Sequence, residues 1–379
     1  MTGATDAIWI TEVLDPPSGI RLAVKDLFDT AGLRTTYGSA IFADHVPTET
    51  AEAVRLLEAA GYVNVGKANL HEFAYGVTSE NPHFGAVPNP RAPGRTAGGS
   101  SGGSAAALAT GLADAALGSD SAGSIRIPAA CCGVVGFKPT YGLVPIDGCF
   151  PLAPSFDHAG PMARDVEGCV RMMKALVPGL EAVEVELADL RVGVAWLDEA
   201  DPLVGARVED TVARFSRPRA LGLAVPDRED WGAAFRREAL ESHAGLFPER
   251  AEDYGDDVRS SLEGAVELTA SEVDAARGLR RRLREELPET FGDLDLLVTP
   301  TLPVVAPRYG EGTRSVLTRL TALFNLTGWP ALALPCGPAE EGLPASVQLA
   351  APPGRDALVL AAGAALEDAL AFGQPHPNE

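Results

Sequence analysis

Paired glycines on both sides of a serine pair constrain this chain more than any other feature: Gly98-Gly99-Ser100-Ser101-Gly102-Gly103, followed after one helix-like run by Gly123-Ser124. Glycine is required where the backbone takes φ > 0 or approaches another group closely. Ordinary loops use one or two glycines at turns, so two such places, each presenting a serine, suggest a site. Ser121-Ala122-Gly123-Ser124 is a run of small residues between apolar Ala115 to Leu117 and a helix-like segment from Ile125 to Ala130. Consecutive N–H groups in such a turn, at a helix start, converge on one small volume and can stabilise an oxyanion. A serine placed there is a candidate nucleophile, and it needs a base.

Histidine, the usual base, is scarce: His45, His71, His83, His158, His243 and His376 are all there are, and none has a local motif around it. Lysine is scarcer still. Of 31 basic residues only Lys25, Lys67, Lys138 and Lys174 are lysine. Arginine cannot lose its proton in a protein, whereas a buried lysine can, so a chain this rich in arginine keeps lysine where arginine would not serve. Lys25 follows apolar Leu22-Ala23-Val24 and is expected at the end of a buried strand. That place suits a strand cap as well as a general base, and the serine stretch favours the base.

These residues together resemble the amidase signature family. Its hallmark is a Ser-cisSer-Lys triad: a lysine on an early strand, a G-G-S-S-G-G loop, and a nucleophilic serine in a D-x-G/A-G-S-I-R context, 24 residues past the first serine of the loop. Ser124 lies 24 residues after Ser100. The resemblance therefore implies Ser124 as nucleophile, Ser100 as bridging serine, Lys25 as base and a cis Gly99–Ser100 peptide. It extends through K-A-N-L-H-E-F-A-Y-G (67–76), V-G-F-K-P-T-Y-G (135–142), S-F-D-H-A-G-P-M-A-R (155–164), L-L-V-T-P-T-L-P (296–303) and F-N-L-T-G-W-P-A-L-A-L-P-C-G (324–337). It also implies that Asp120 and Arg126 pair beneath Ser124 and hold its loop rigid.

Apolar residues make up 46% of the 379, enough for a large core. Short apolar runs alternate with helical periodicity, which predicts an α/β fold, a mixed central β-sheet covered by helices on both faces. A net charge of −21 argues against nucleic acid or an anionic membrane as partner. Five cysteines, odd in number and without metal spacing, point to a reducing cytoplasmic setting, and the chemistry that the resemblance implies requires no metal and no cofactor. No basic-then-apolar leader opens the chain, and Asp114 and Asp120 interrupt its most apolar region.

In chain order, residues 1–19 are a short lead-in ending in the turn signal Pro16-Pro17-Ser18-Gly19. Many relatives carry a long helical segment before the lysine; only 24 residues precede it here, a departure that bears on homo-oligomer formation. Strands are expected at 20–24, 62–65, 115–118, 191–195, 294–298, 331–334 and 346–349. Helices are expected at 48–60, 101–110 and 356–371, with surface helices at 236–247 and 271–287. Residues 67–77 read as a loop, and 160–176 as a turn that becomes helix. Arg280-Arg281-Arg282 reads as a solvated helix face paired with Glu285 and Glu286. Cys131 and Cys132 read as packed thiols. The whole is expected to be one domain, 1–379, with core segments at about 20–180 and 290–371 and a mostly helical excursion at about 200–290.

The resemblance implies acyl transfer onto Ser124, with an oxyanion held by the turn of Ser121, Ala122, Gly123 and Ser124 and a small-molecule amide as substrate. Stretches that line the pocket in relatives carry Phe73, Ala74, Tyr75, Phe150, Phe156 and Trp329, which suggests an apolar or aromatic acyl group. The glutaminase subunit of a tRNA-dependent amidotransferase shares the triad and is the alternative. That subunit carries an aspartate for the glutamine α-amino group just after the P-C-G turn, where this chain has Pro338-Ala339, with Glu340 and Glu341 slightly later. Gly98 to Gly102 formally matches the G-x-S-x-G nucleophile turn of α/β-hydrolases, but a proline-rich loop precedes it where a strand is required. A phosphate loop lacks its Gly-Lys-Ser/Thr. An inactive scaffold is disfavoured by the presence of Lys25, Ser100 and Ser124 together.

Overall fold

Leu22, Ala23 and Val24 have no solvent exposure, and side chains alternate across a strand, so this segment needs cover on both of its faces. The computed structural model, which describes residues 7–311 and 314–371, supplies that cover. The strands are β1 (Trp9–Glu12), β2 (Ile20–Lys25), β3 (Tyr62–Ala68), β4 (Glu80–Asn81), β5 (Gly85–Ala86), β6 (Ala115–Ser119), β7 (Val135–Lys138), β8 (Ala159–Ala163), β9 (Val192–Val194), β10 (Pro218–Ala220), β11 (Leu296–Pro300), β12 (Ala331–Pro338) and β13 (Pro344–Ala350). The helices are α1 (Glu52–Ala59), α2 (Gly102–Ala109), α3 (Arg126–Cys132), α4 (Val166–Leu176), α5 (Pro202–Val212), α6 (Arg228–Ser242), α7 (Asp256–Val266), α8 (Ala270–Phe291), α9 (Arg314–Thr318), α10 (Ala322–Thr327) and α11 (Asp356–Ala371).

All strands but the β4-β5 hairpin form one mixed sheet, in the order β1-β3-β2-β6-β8-β7-β12-β13-β11-β9-β10. At its centre β2 runs parallel to both β3 and β6, and β8 runs antiparallel between β6 and β7. Leu22 and Val24 pack in one cluster with Val54 and Leu57 of α1, Met172 of α4 and Leu360 of α11. Ala23 packs in another with Ala105 to Leu108 of α2 and Ala129 of α3. The small residues of α2 allow close approach: a Cβ on Gly103 would lie 2.4 Å from the Asn69 carbonyl oxygen.

Several sequence expectations need correction. Residues 160–176 do not begin as a turn, because Ala159–Ala163 is a central strand with no exposed residue; Gly160 and Pro161 give it the composition of a turn. A Cβ on Gly160 would meet the Phe137 carbonyl oxygen at 2.4 Å, so glycine serves tight strand packing there. Within the lead-in, Trp9–Glu12 forms β1, paired antiparallel to β3. Lys67 and Ala68 belong to β3, not to the following loop. The helix expected from residue 48 starts at Glu52, because Ala51 is extended. The helix expected at 236–247 runs instead from Arg228, where Asp227 caps it, to Ser242. It is no surface helix, since Trp231, Ala234 and Phe235 are buried. Arg280 is also buried rather than solvated. Its guanidinium lies 4.1 Å from the Phe156 ring centroid and donates to the Leu326 carbonyl at 3.0 Å and to Ser155. Cys131 and Cys132 are buried free thiols. Among the described residues no helix is long and apolar enough to cross a membrane.

Candidate active site

Parallel pairing sets Val24 opposite Leu117, so β2 and β6 end side by side and Lys25 emerges next to Ser119. Lys25 Nζ lies 2.7 Å from Ser100 Oγ and 2.8 Å from Ser119 Oγ. Its side chain has no solvent exposure and, among the described residues, no ion pair. Burial lowers the Lys25 pKa to about 7, with Cys149, Asp120 and Asp157 pulling weakly the other way. An amine in this state can accept a proton at neutral pH.

Ser100 follows a cis Gly99–Ser100 peptide. Its carbonyl accepts the His71 N–H at 3.2 Å and the Ser79 hydroxyl at 3.2 Å, which fixes the loop across α2. A Cβ on Gly99 would lie 2.8 Å from the backbone nitrogen of Ser79, so the crowding itself demands glycine.

Ser124 stands on a loop braced from below. Asp120 and Arg126, both fully buried, pair at 2.9 Å. Burial alone would raise the Asp120 pKa, but the charge and hydrogen bonds of Arg126 prevail and hold the carboxyl well below the usual range. Arg126 also donates to Gln348 Oε1 at 2.8 Å, Asn325 Oδ1 at 2.7 Å and the Thr321 carbonyl at 2.9 Å. Asp120 in turn accepts the N–H groups of Gly123 at 2.8 Å and Ile125 at 3.1 Å. Gly123 is thereby occupied and contributes shape instead of a free donor: its φ is 132°, and a Cβ would lie 2.4 Å from Thr321 Oγ1. The N–H groups of Ser121, Ala122 and Ser124 keep no acceptor among the described residues. Ser101 N–H donates to the Ser124 carbonyl at 3.2 Å, which ties the two serine loops together. Ser124 Oγ makes no hydrogen bond to Ser100 and instead faces a cleft of about 350 Å³.

Of the residues expected around the substrate, Ala74 and Tyr75 line this cleft. Phe73 and Phe150 pack against each other at 4.9 Å in an aromatic cluster with Phe42 and His243, in which Phe73 and His243 are buried and Phe42 and Phe150 half-buried. Phe156 packs on Phe235 at 5.4 Å, under Arg280, and Trp329 packs on Phe291 at 5.0 Å in a separate core. None of these four lines the cleft. The walls that the sequence did not reveal are Trp231, Phe235 and Arg228 from α6 and Arg314 and Thr318 from α9. No local motif marks them. Asn325 and Gln348 did carry a signal: each is a lone amide inside an apolar run, Phe324-Asn325-Leu326 and Val347-Gln348-Leu349.

The family model described as Amidase matches residues 6–217 and 229–360. The chain belongs to the amidase family, and is an enzyme that hydrolyses amide C–N bonds. It is 38% identical over 392 residues to AtzE, a 1-carboxybiuret hydrolase subunit of Pseudomonas sp. (strain ADP), covering 94% of this chain and 85% of that one. It is 38% identical over 407 residues to a glutamyl-tRNA(Gln) amidotransferase subunit of Thermus thermophilus, covering 94% and 86%. A crystal structure of an amidase superimposes with a TM-score of 0.84 at 37% identity, covering 92% of this chain and 84% of that one. The mixed sheet with helices on both faces is thus that of amidase signature enzymes.

Proposed function

We propose that this chain cleaves a small carboxylic amide through an acyl-enzyme on Ser124. Neutral Lys25 draws a proton through Ser100 as Ser124 Oγ attacks the carbonyl carbon, and the C=O electron pair moves onto oxygen. The N–H groups of Ser121, Ala122 and Ser124 stabilise that charge. Collapse breaks the C–N bond, the proton returns to the leaving nitrogen by the same relay, and ammonia or an amine departs. Water then repeats the sequence to release the carboxylate. The observation that carries this reading is the buried Lys25 amine, lowered to about 7 and 2.7 Å from Ser100 Oγ.

Glutaminase action within an amidotransferase is the competing reading, since such subunits occur among the relatives. Among the described residues that line the cleft there is no carboxylate for an α-amino group. Glu341 pairs with Arg95 at 2.9 Å and Arg308 at 3.3 Å, and neither it nor Glu340 lines the cleft. A homo-oligomer or a partner chain remains compatible with hydrolysis, because both named relatives are subunits. A reducing, cytoplasmic setting suits the five free thiols.

The test is a screen of small amides for ammonia release by the chain alone, with fluorophosphonate labelling. Ser124→Ala removes one hydroxyl, so it should fold as wild type yet lose both turnover and label. Label retained at Ser100 in that variant would move the nucleophile there, and ammonia release only with added partner subunits would favour the amidotransferase.

A further inference from the structure

The cleft in front of Ser124 holds two guanidinium groups in a chain of strongly negative charge. Arg314 is held in place: it donates to the Tyr75 carbonyl at 2.8 Å and to Ser261 Oγ at 2.8 Å. It also lies 3.8 Å from Asp257, whose carboxylate accepts from His71 at 2.6 Å, so that counter-charge is shared. Arg228 is different. It leans over the Trp231 ring at 5.8 Å and has neither ion pair nor hydrogen bond among the described residues. Burial, then Arg314 and Arg236, lower its pKa to about 10, with Tyr75 acting the other way. Arg228 also opens α6, where a cation opposes the positive end of the helix dipole. Only the Trp231 ring face and Tyr75 favour a positive charge at this place, neither is a carboxylate, and arginine keeps it nonetheless.

We propose that the missing counter-charge is the substrate's own: the cleft takes an amide that also carries a carboxylate, seated on Arg228 and Arg314 with Tyr75, Trp231 and Phe235 as the apolar walls. This rests on Ser124 as the point of attack. A guanidinium matches a carboxylate with two parallel N–H···O bonds, which fixes orientation as well as affinity. Of the aromatic residues behind the expected apolar or aromatic acyl group, Tyr75 lines the cleft, where Trp231 and Phe235 join it, and Phe73, Phe150, Phe156 and Trp329 do not.

The test compares succinamate and glutaramate with their neutral counterparts, succinamide and glutaramide, by kcat/KM. The wild-type enzyme should prefer the acidic amides by tenfold or more. Arg228→Gln should bring that ratio close to one, and Arg228→Lys should retain part of it. A wild-type ratio near one, or a loss in Arg228→Gln shared equally by both classes, overturns the proposal. Calorimetry with glutarate on the Ser124→Ala variant separates this from the hydrolytic reading. Binding weakened tenfold by adding Arg228→Gln supports the subsite even if none of the four amides is cleaved. Diamide cleavage without glutarate binding leaves hydrolysis standing and removes the subsite.

Discussion

Lys25 and Lys67 sit one strand apart, both fully buried, and their surroundings give them different chemistry. Lys67 lies 3.3 Å from Asp26 and donates to Thr35 Oγ1 at 2.7 Å, so its charge has a partner. Lys25 has only hydroxyls, Ser100 and Ser119, and burial lowers it to about 7. The protonated form, which prevails below that value, cannot act as base. kcat/KM should therefore rise with pH through about 7 and level off above it. Lys25→Arg keeps the charge but cannot give up the proton, so it should be as inactive as Lys25→Ala, by about 10²–10⁴-fold. Substantial turnover in Lys25→Arg would show that Lys25 supplies charge or structure and that the base lies elsewhere. Ser100→Ala should lower turnover by orders of magnitude and leave slow acylation, because the N–H donors survive; single-turnover acylation measures it. The scarcity of lysine pointed to burial at three of its four positions, since Lys25, Lys67 and Lys138 are fully buried while Lys174 is exposed. It did not separate base from scaffold, because that depends on partners contributed by distant segments. Ser119 escaped notice for the same reason: only the pairing of β2 with β6 brings it to Lys25.

Elements whose apolar pattern is local were readable, and those defined by a neighbour were not. The strands around Leu22, Ala116, Leu332 and Val347 carry buried β-type runs, and the helix expected at 356–371 has those bounds. β8 was lost because Gly160 and Pro161 mimic a turn, while its place between β6 and β7 is a tertiary fact. The buried face of α6 was equally hidden, because its charged residues dominate the sequence. Tight packing also decides substitutions that propensity would favour. Gly103→Ala and Gly363→Ala both replace glycine within a helix, a change worth ~1 kcal/mol in favour of alanine on an open surface. At Gly103 the new Cβ would meet backbone atoms of Asn69 and Ile8 at 2.4–2.7 Å, which cannot yield, and α2 carries Ser101 at its N-cap. At Gly363 it would meet the end of the Leu332 side chain, which can rotate away. Urea unfolding should show Gly103→Ala less stable by about 1–3 kcal/mol or more and Gly363→Ala clearly less affected. Equal losses would mean that backbone and side-chain obstacles weigh the same here.

Across the whole molecule, the segment from 200 to 290 is bound to the rest by charge placed inside the fold. Glu238 accepts the Ser155 N–H at 2.8 Å, Arg280 covers Phe156, and β10 adds a strand to the edge of the sheet. We propose that the chain unfolds as one domain with these helices as an integral part. Arg280→Ala should lower the thermal midpoint while keeping a single calorimetric transition; a separate early transition would make residues 200–290 a second unit. The grip on Arg126 has one more consequence, concerning the order in which the protein is made. Its partners Thr321, Asn325 and Gln348 lie 195 to 222 residues further along the chain. A ribosome that has synthesised Lys25, Ser100 and Ser124 has not yet supplied the groups that brace the serine loop. The brace beneath Ser124 is therefore completed only once residue 348 has emerged from the ribosome, whereas the contacts of Lys25 with Ser100 and of Asp120 with Arg126 use residues made long before.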